Sequence, residues 1–177
     1  MNFKKKNGFD ICKKNLSLYN QFPFLDQIIT CNEKWVYFKN VVRKRQWFDQ
    51  GESPLPTPKI PRDQKKIMLS VWWDIKGILH YEFLETNETI DSLIYSQQLI
   101  TLNDKLFKMM SALFNKKKIF LLHDNSKPHV SKNVSKTIKD LGFEILPHPP
   151  YSPDLVPSDY YLFKHLQNSL EIRNILK

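Results

Sequence analysis

The chain reads as an α/β protein built on a mixed β-sheet flanked by helices. Three observations predict this. Runs rich in Ile, Val and aromatic residues crowd the first half, a long stretch of helical periodicity follows, and apolar runs then alternate with amphipathic stretches. An early antiparallel meander joined to later alternating units gives a sheet with both antiparallel and parallel neighbours. At 177 residues the chain has the size of one ordinary domain with a sizeable core.

Taken in order, residues 1–24 are basic, with one weak helical stretch near Ile11–Tyr19 before Phe22-Pro23-Phe24. From Leu25 the pattern changes. Gln27–Cys31 and Lys34–Lys39 read as two strands, with Asn32-Glu33 as a candidate hairpin turn, and Arg43–Phe48 as a short third strand. GESPLPTPKIPRD holds four prolines in thirteen residues, which excludes regular structure and marks an extended loop. Ile67–Trp73 and Gly77–Leu84 are strands joined by the turn Asp74–Lys76. Thr89–Phe114 is a long helix, its apolar stripe running through Leu93, Ile94, Ile100, Leu106, Met109 and Leu113. Ile119–Leu122 is a short buried-type strand, and His129–Leu141 an amphipathic helix that Gly142 can end. Phe143–Leu146 is the last strand, and Ser158–Leu170 a closing helix with Ser158 as its N-cap. Trp35, Trp47, Trp72 and Trp73 read as core and loop anchors.

Composition narrows the function classes. The net charge of +9 and pI of about 9.4 suit a polyanionic partner such as DNA or RNA. Four glycines cannot supply a dinucleotide fingerprint or a P-loop, so no small-molecule cofactor is expected. No apolar run reaches the roughly 18 residues of a membrane span. The start MNFKKKNGFDICKK lacks the apolar core of a secretion signal. Cys12 and Cys31, without metal-ligand spacing, read as reduced thiols.

Two motifs carry chemistry: HDNSKPH, with Asp124, and HPPYSPDLVPSDY, with Asp159, with thirty-four residues between the two aspartates. The first aspartate follows an apolar strand and the second opens a helical stretch. Carboxylates so placed can converge, and two of them are what a Mg²⁺ ion asks of a protein. Taken alone, Asp124-Asn125 is also a common turn or cap, Asp159 also suits a helix N-terminus, and Asp154 competes with it on chemistry. His123 and His129 flank Asp124.

LHDNSKPH, ILPHPPYSPDLVPSDYYLF, NEKWVYF and IMLSVWWDIKG together resemble the catalytic domain of mariner-type DNA transposases, across about residues 9–172. The resemblance implies a ribonuclease-H-like fold and metal-dependent DNA cleavage and strand transfer in the nucleus, with Mg²⁺ or Mn²⁺ as cofactor and DNA as partner. It implies that residues 1–24 are a remnant of an interdomain linker, with the helix-turn-helix DNA-binding domain missing. Residues 25–177 would be the catalytic domain, truncated at its C-terminus. The loop 47–62 would reach toward a partner subunit and support a homodimer.

The family's site holds three aspartates. Asp124 matches the second and Asp159 the third, as metal ligands, but the first falls on Asn32. Shifting the register by one would bring Glu33, whose side chain leaves the strand on the opposite face. A shared aspartate offsets the repulsion between two Mg²⁺ ions, whereas an amide offers one neutral oxygen and an NH₂ that cannot ligate a cation. Metal binding is therefore expected to be weakened and cleavage impaired. The alternatives are a non-enzymatic nucleic-acid-binding module or a decayed element copy.

Overall fold

The computed structural model describes residues 3–38, 47, 49–53, 65–86, 88–114 and 118–173. Helix α1 spans Phe3–Gln21 and strand β1 Ile28–Tyr37. Strands β2 (Lys66–Asp74) and β3 (Gly77–Phe83) precede helix α2 (Ser92–Phe114). Then come strand β4 (Ile119–Leu122), helix α3 (Lys132–Asp140), strand β5 (Phe143–Ile145) and helix α4 (Phe163–Arg173). The strands form one sheet in the order β3-β2-β1-β4-β5. β1 and β3 run antiparallel to β2, while β1–β4 and β4–β5 are parallel pairs. The mixed sheet expected from the element order is present.

Local chemistry sets the boundaries. Asp74 Oδ1 accepts from the backbone N–H of Lys76 (2.7 Å) and Gly77 (3.1 Å), closing the β2–β3 turn, and Gly77 supplies its φ of 141°. Asp91 Oδ1 accepts from Leu93 and Ile94 N–H, both at 2.8 Å, and so starts α2 three residues later than its periodicity suggests.

The sheet buries both faces. On one, Ile29, Cys31, Trp72 and Leu121 meet Tyr95, Leu99, Leu102 and Leu106 of α2 and Val134 and Ile138 of α3. Each fully buried Leu there contributes roughly 1.5–3 kcal/mol of transfer free energy. On the other face, α1 brings Tyr19 against Phe24 and Phe120, and Asn15 Nδ2 donates to the Pro147 carbonyl at 3.0 Å. Beside it, Phe163, Leu162 and Leu166 cover Leu69 and Val71.

Four readings change. β1 is one continuous strand, paired with β2 from Thr30↔Trp73 to Tyr37↔Lys66, so Asn32-Glu33 is not a turn. α1 runs well beyond the weak stretch expected at Ile11–Tyr19. α3 starts only at Lys132, because Ser131 Oγ accepts from Val134 N–H (3.3 Å) and caps it, which leaves His129 on the preceding turn. Ser158 is not an N-cap: its hydroxyl accepts instead from Trp73 Nε1 at 2.9 Å, in a π-turn, Ser158–Leu162, that leads into α4. Of the tryptophans, Trp72 is a core residue, whereas Trp47 is 97% exposed. The strand expected at Arg43–Phe48 and most of the loop 47–62 lie outside the described residues.

Candidate active site

β1 and β4 are parallel neighbours at the centre of the sheet, and the chain leaves them toward opposite edges. The crevice beside such strands is where α/β sheets collect ligand-binding groups. The ladder pairs Ile28, Ile29 and Thr30 with Phe120, Leu121 and Leu122. Two residues beyond the last pair stand Asn32 and Asp124, in step with Thr30 and Leu122, which places both on one face. Asp159 reaches the same place from the π-turn, which the Trp73–Ser158 hydrogen bond ties to β2. Single π-turns inside helices recur at functional sites.

The Asn32 amide neighbours the Asp159 carboxylate and favours its ionised form, as an NH₂ can. Asn32 Oδ1 accepts from Glu33 N–H at 2.8 Å. Asp124 and Asp159 line one cavity of about 630 Å³ with Ser126, Lys127, His148 and Tyr151. Tyr151, at its rim, has a φ of 57°, a strained value for a bulky residue. Asn125 Nδ2 donates to the His148 carbonyl at 2.8 Å and so joins the two loops that carry the motifs.

The two carboxylates differ in proton affinity. Burial raises that of Asp159, and the nearby charge of Asp124 adds to it, against the opposing Asn32 amide. Burial alone would raise Asp124 as well, but hydrogen bonds from His129 and Ser126 outweigh it and hold this carboxyl well below the usual carboxylate range. His129 Nδ1 lies 2.7 Å and Ser126 N 2.9 Å from Oδ1, and neither of these donors engages Oδ2. His129 is 1% exposed, and its Nε2 stands 3.3 Å from Glu33 Oε1, an ionic contact without hydrogen-bond alignment. Burial would lower its pKa, but the two carboxylates push it up to about 9.

Behind His129 lies a second buried chain. Cys31 Sγ is 3.1 Å from Tyr95 Oη, which is 2.9 Å from His123 Nδ1. Burial, then the neighbouring His129, lowers His123 to about 4, so the ring is neutral. Burial also raises both Cys31 and Tyr95, which keeps their protons in place.

The structure thus brings Asn32, Asp124 and Asp159 together, as expected. Glu33 faces the opposite side of β1, also as expected, yet it reaches Asp124 through His129. That link joins distant segments, and no local pattern announces it. Among the described residues no three His, Cys, Asp or Glu side chains are grouped to hold a metal ion. Two carboxylates fit one Mg²⁺, which takes one or two such ligands and completes its shell with water or phosphate. They do not fit an ion pair that needs a shared aspartate.

Residues 37–114 match the family model described as Transposase (partial DDE domain). The crystallised catalytic domain of Mos1 mariner transposase superimposes with a TM-score of 0.78 at 35% identity, over 97% of this chain and 74% of that one. The chain belongs to the mariner transposase family. Its mixed sheet is the ribonuclease-H-like sheet of the mariner catalytic domain. Mariner Mos1 transposase of Drosophila mauritiana is 40% identical over 160 residues, 90% of this chain and 46% of that protein. The human histone-lysine N-methyltransferase SETMAR is 44% identical over 168 residues, 95% of this chain but 25% of that protein. The chain therefore spans a quarter to under half of these relatives. Mos1 paired-end complexes solved with Mn and with Mg match with TM-scores of 0.85 and 0.83.

Proposed function

We propose that this mariner catalytic domain holds a single Mg²⁺ or Mn²⁺ on Asp124 and Asp159, and that its DNA cleavage is impaired. The observation that carries the reading is the neutral Asn32 amide two residues past the β1–β4 ladder, level with Asp124 and beside Asp159. Where a shared aspartate would add charge for two cations, a neutral amide adds none beside the two remaining ligands. Asp159, with its raised proton affinity, is the carboxylate that gains most from a nearby cation. Asp124, fixed at Oδ1, offers its other oxygen. When bound, such an ion stabilises charge that develops on a phosphoryl group during displacement.

Mn²⁺ binding, read from the loss of the free-ion EPR signal, tests this. At most one ion per wild-type chain and a second in Asn32→Asp is the expected result. Two ions in both proteins would refute the reading.

The net charge of +9 supports DNA as the partner, with the protein acting in the nucleus. The same charge favours the second reading, a DNA-binding module without cleavage. Salt-dependent mobility shifts with no nicking by either protein would select it. We also propose that the loop 47–62 supports a homodimer, so that deleting Gly51–Lys59 lowers the sedimentation coefficient. An unchanged coefficient would refute that.

A further inference from the structure

Strand β1 places consecutive residues on opposite sides of the sheet, and each finds one of the two candidate metal ligands. Asn32 neighbours Asp159. Glu33, mostly buried at 13% exposure, meets Nε2 of His129, whose Nδ1 contacts Asp124 at 2.7 Å. Glu33 Oε1 and His129 Nε2 are both buried, find no aligned hydrogen-bond partner among the described residues, and stand 3.3 Å apart. The ring has little freedom to turn. Tyr95 packs on it with ring centroids 4.0 Å apart, and His123 stacks beside it at 5.3 Å. Ser126 N–H and His129 Nδ1 converge on the same oxygen of Asp124, which fixes the rotation of the carboxylate.

We infer that His129, braced by Glu33, is the positioning residue of Asp124, holding one carboxylate oxygen so that the other is presented to the metal ion. The inference rests on the metal-site reading above. Ligating carboxylates owe their orientation to such outer partners, and loss of a partner typically weakens metal affinity about 10- to 100-fold. The arrangement also gives Glu33 a role that its face of the strand denies it as a ligand: it acts on the site through the imidazole.

The test uses the full chain carrying Asn32→Asp, with MnCl₂ as the probe and Mn²⁺ affinity read by EPR on samples shown by circular dichroism to be folded. His129→Asn keeps a donor near the position of Nδ1. His129→Gln keeps a group near Nε2, and His129→Ala keeps neither. All three remove the imidazolium charge, so charge alone would move them together. Positioning predicts that Asn stays close to the parent while Gln and Ala weaken Mn²⁺ binding about 10- to 100-fold. Equal behaviour of Asn and Gln, or parent-like binding by all three, would overturn it. Should ring substitutions unfold the protein, Glu33→Gln leaves the imidazole and Asp124 intact and should still weaken Mn²⁺ binding. Unchanged affinity there would overturn the bracing role. If the Asn32→Asp parent itself binds no Mn²⁺, the metal-site reading falls, and this inference with it.

Discussion

Two buried histidines with ring centroids 5.3 Å apart are driven in opposite directions, and the stability of the metal-free protein should record both. His123 is lowered to about 4 and His129 raised to about 9, from a common unfolded value near 6.5. The sign follows from which state binds more protons. Between about pH 4 and 6.5 the unfolded chain protonates His123 and the folded one does not, so stability rises with pH. Between about pH 6.5 and 9 the folded chain keeps a proton on His129 that the unfolded one has lost, so stability falls. Each limb has a slope of about 1.4 kcal/mol per pH unit. Over its full window each limb is worth about 3 kcal/mol, or roughly 6–12 °C in Tm for a chain of this size. Urea unfolding in EDTA from pH 4.5 to 9 should give a tent with its ridge near pH 6.5. His129→Asn should flatten the alkaline limb and weaken the acid one in part, because the His129 charge also helps to lower His123. A profile flat to within about 0.5 kcal/mol between pH 5 and 8.5 would refute the electrostatic account of this core.

Further perturbations test other joints. Tyr95→Phe removes the hydroxyl between Cys31 and His123 from a fully buried position, leaving the imidazole nitrogen without its hydrogen-bond partner. A loss of about 2 kcal/mol in urea unfolding with an unchanged m-value is expected, and no loss would contradict a stabilising role for that buried hydroxyl. Ser158→Ala orphans the Trp73 indole N–H and frees the π-turn that carries Asp159. It should destabilise the protein by about 1–2 kcal/mol and weaken Mn²⁺ binding together, and a stability loss without a change in affinity would detach the turn from the site.

The paired strands β2 and β3, the helix α2 and the strand β4 were legible because each shows an uninterrupted apolar period. β1 was not, because Asn32-Glu33 looks like a turn until its partners are known. Both polar side chains are taken up by tertiary contacts, one on each face of a continuous strand. Asp124 and Asp159 could be found from their motifs, since a strand end and a helix entrance are local features. The Glu33–His129–Asp124 link could not, because it depends on packing α2 against the sheet and on a turn that Ser131 excludes from α3. Ser158 shows the same limit, as a hydroxyl in an N-cap setting that finds an indole on a distant strand instead.

Every functional statement about this domain turns on the residue at position 32. Plasmid nicking in Mg²⁺ and in Mn²⁺, by the wild-type chain and by Asn32→Asp side by side, addresses it most directly. A second bound cation is worth several kcal/mol of transition-state stabilisation, so the aspartate variant should nick about 100-fold faster or more. Equal, substantial nicking by both proteins would contradict the account.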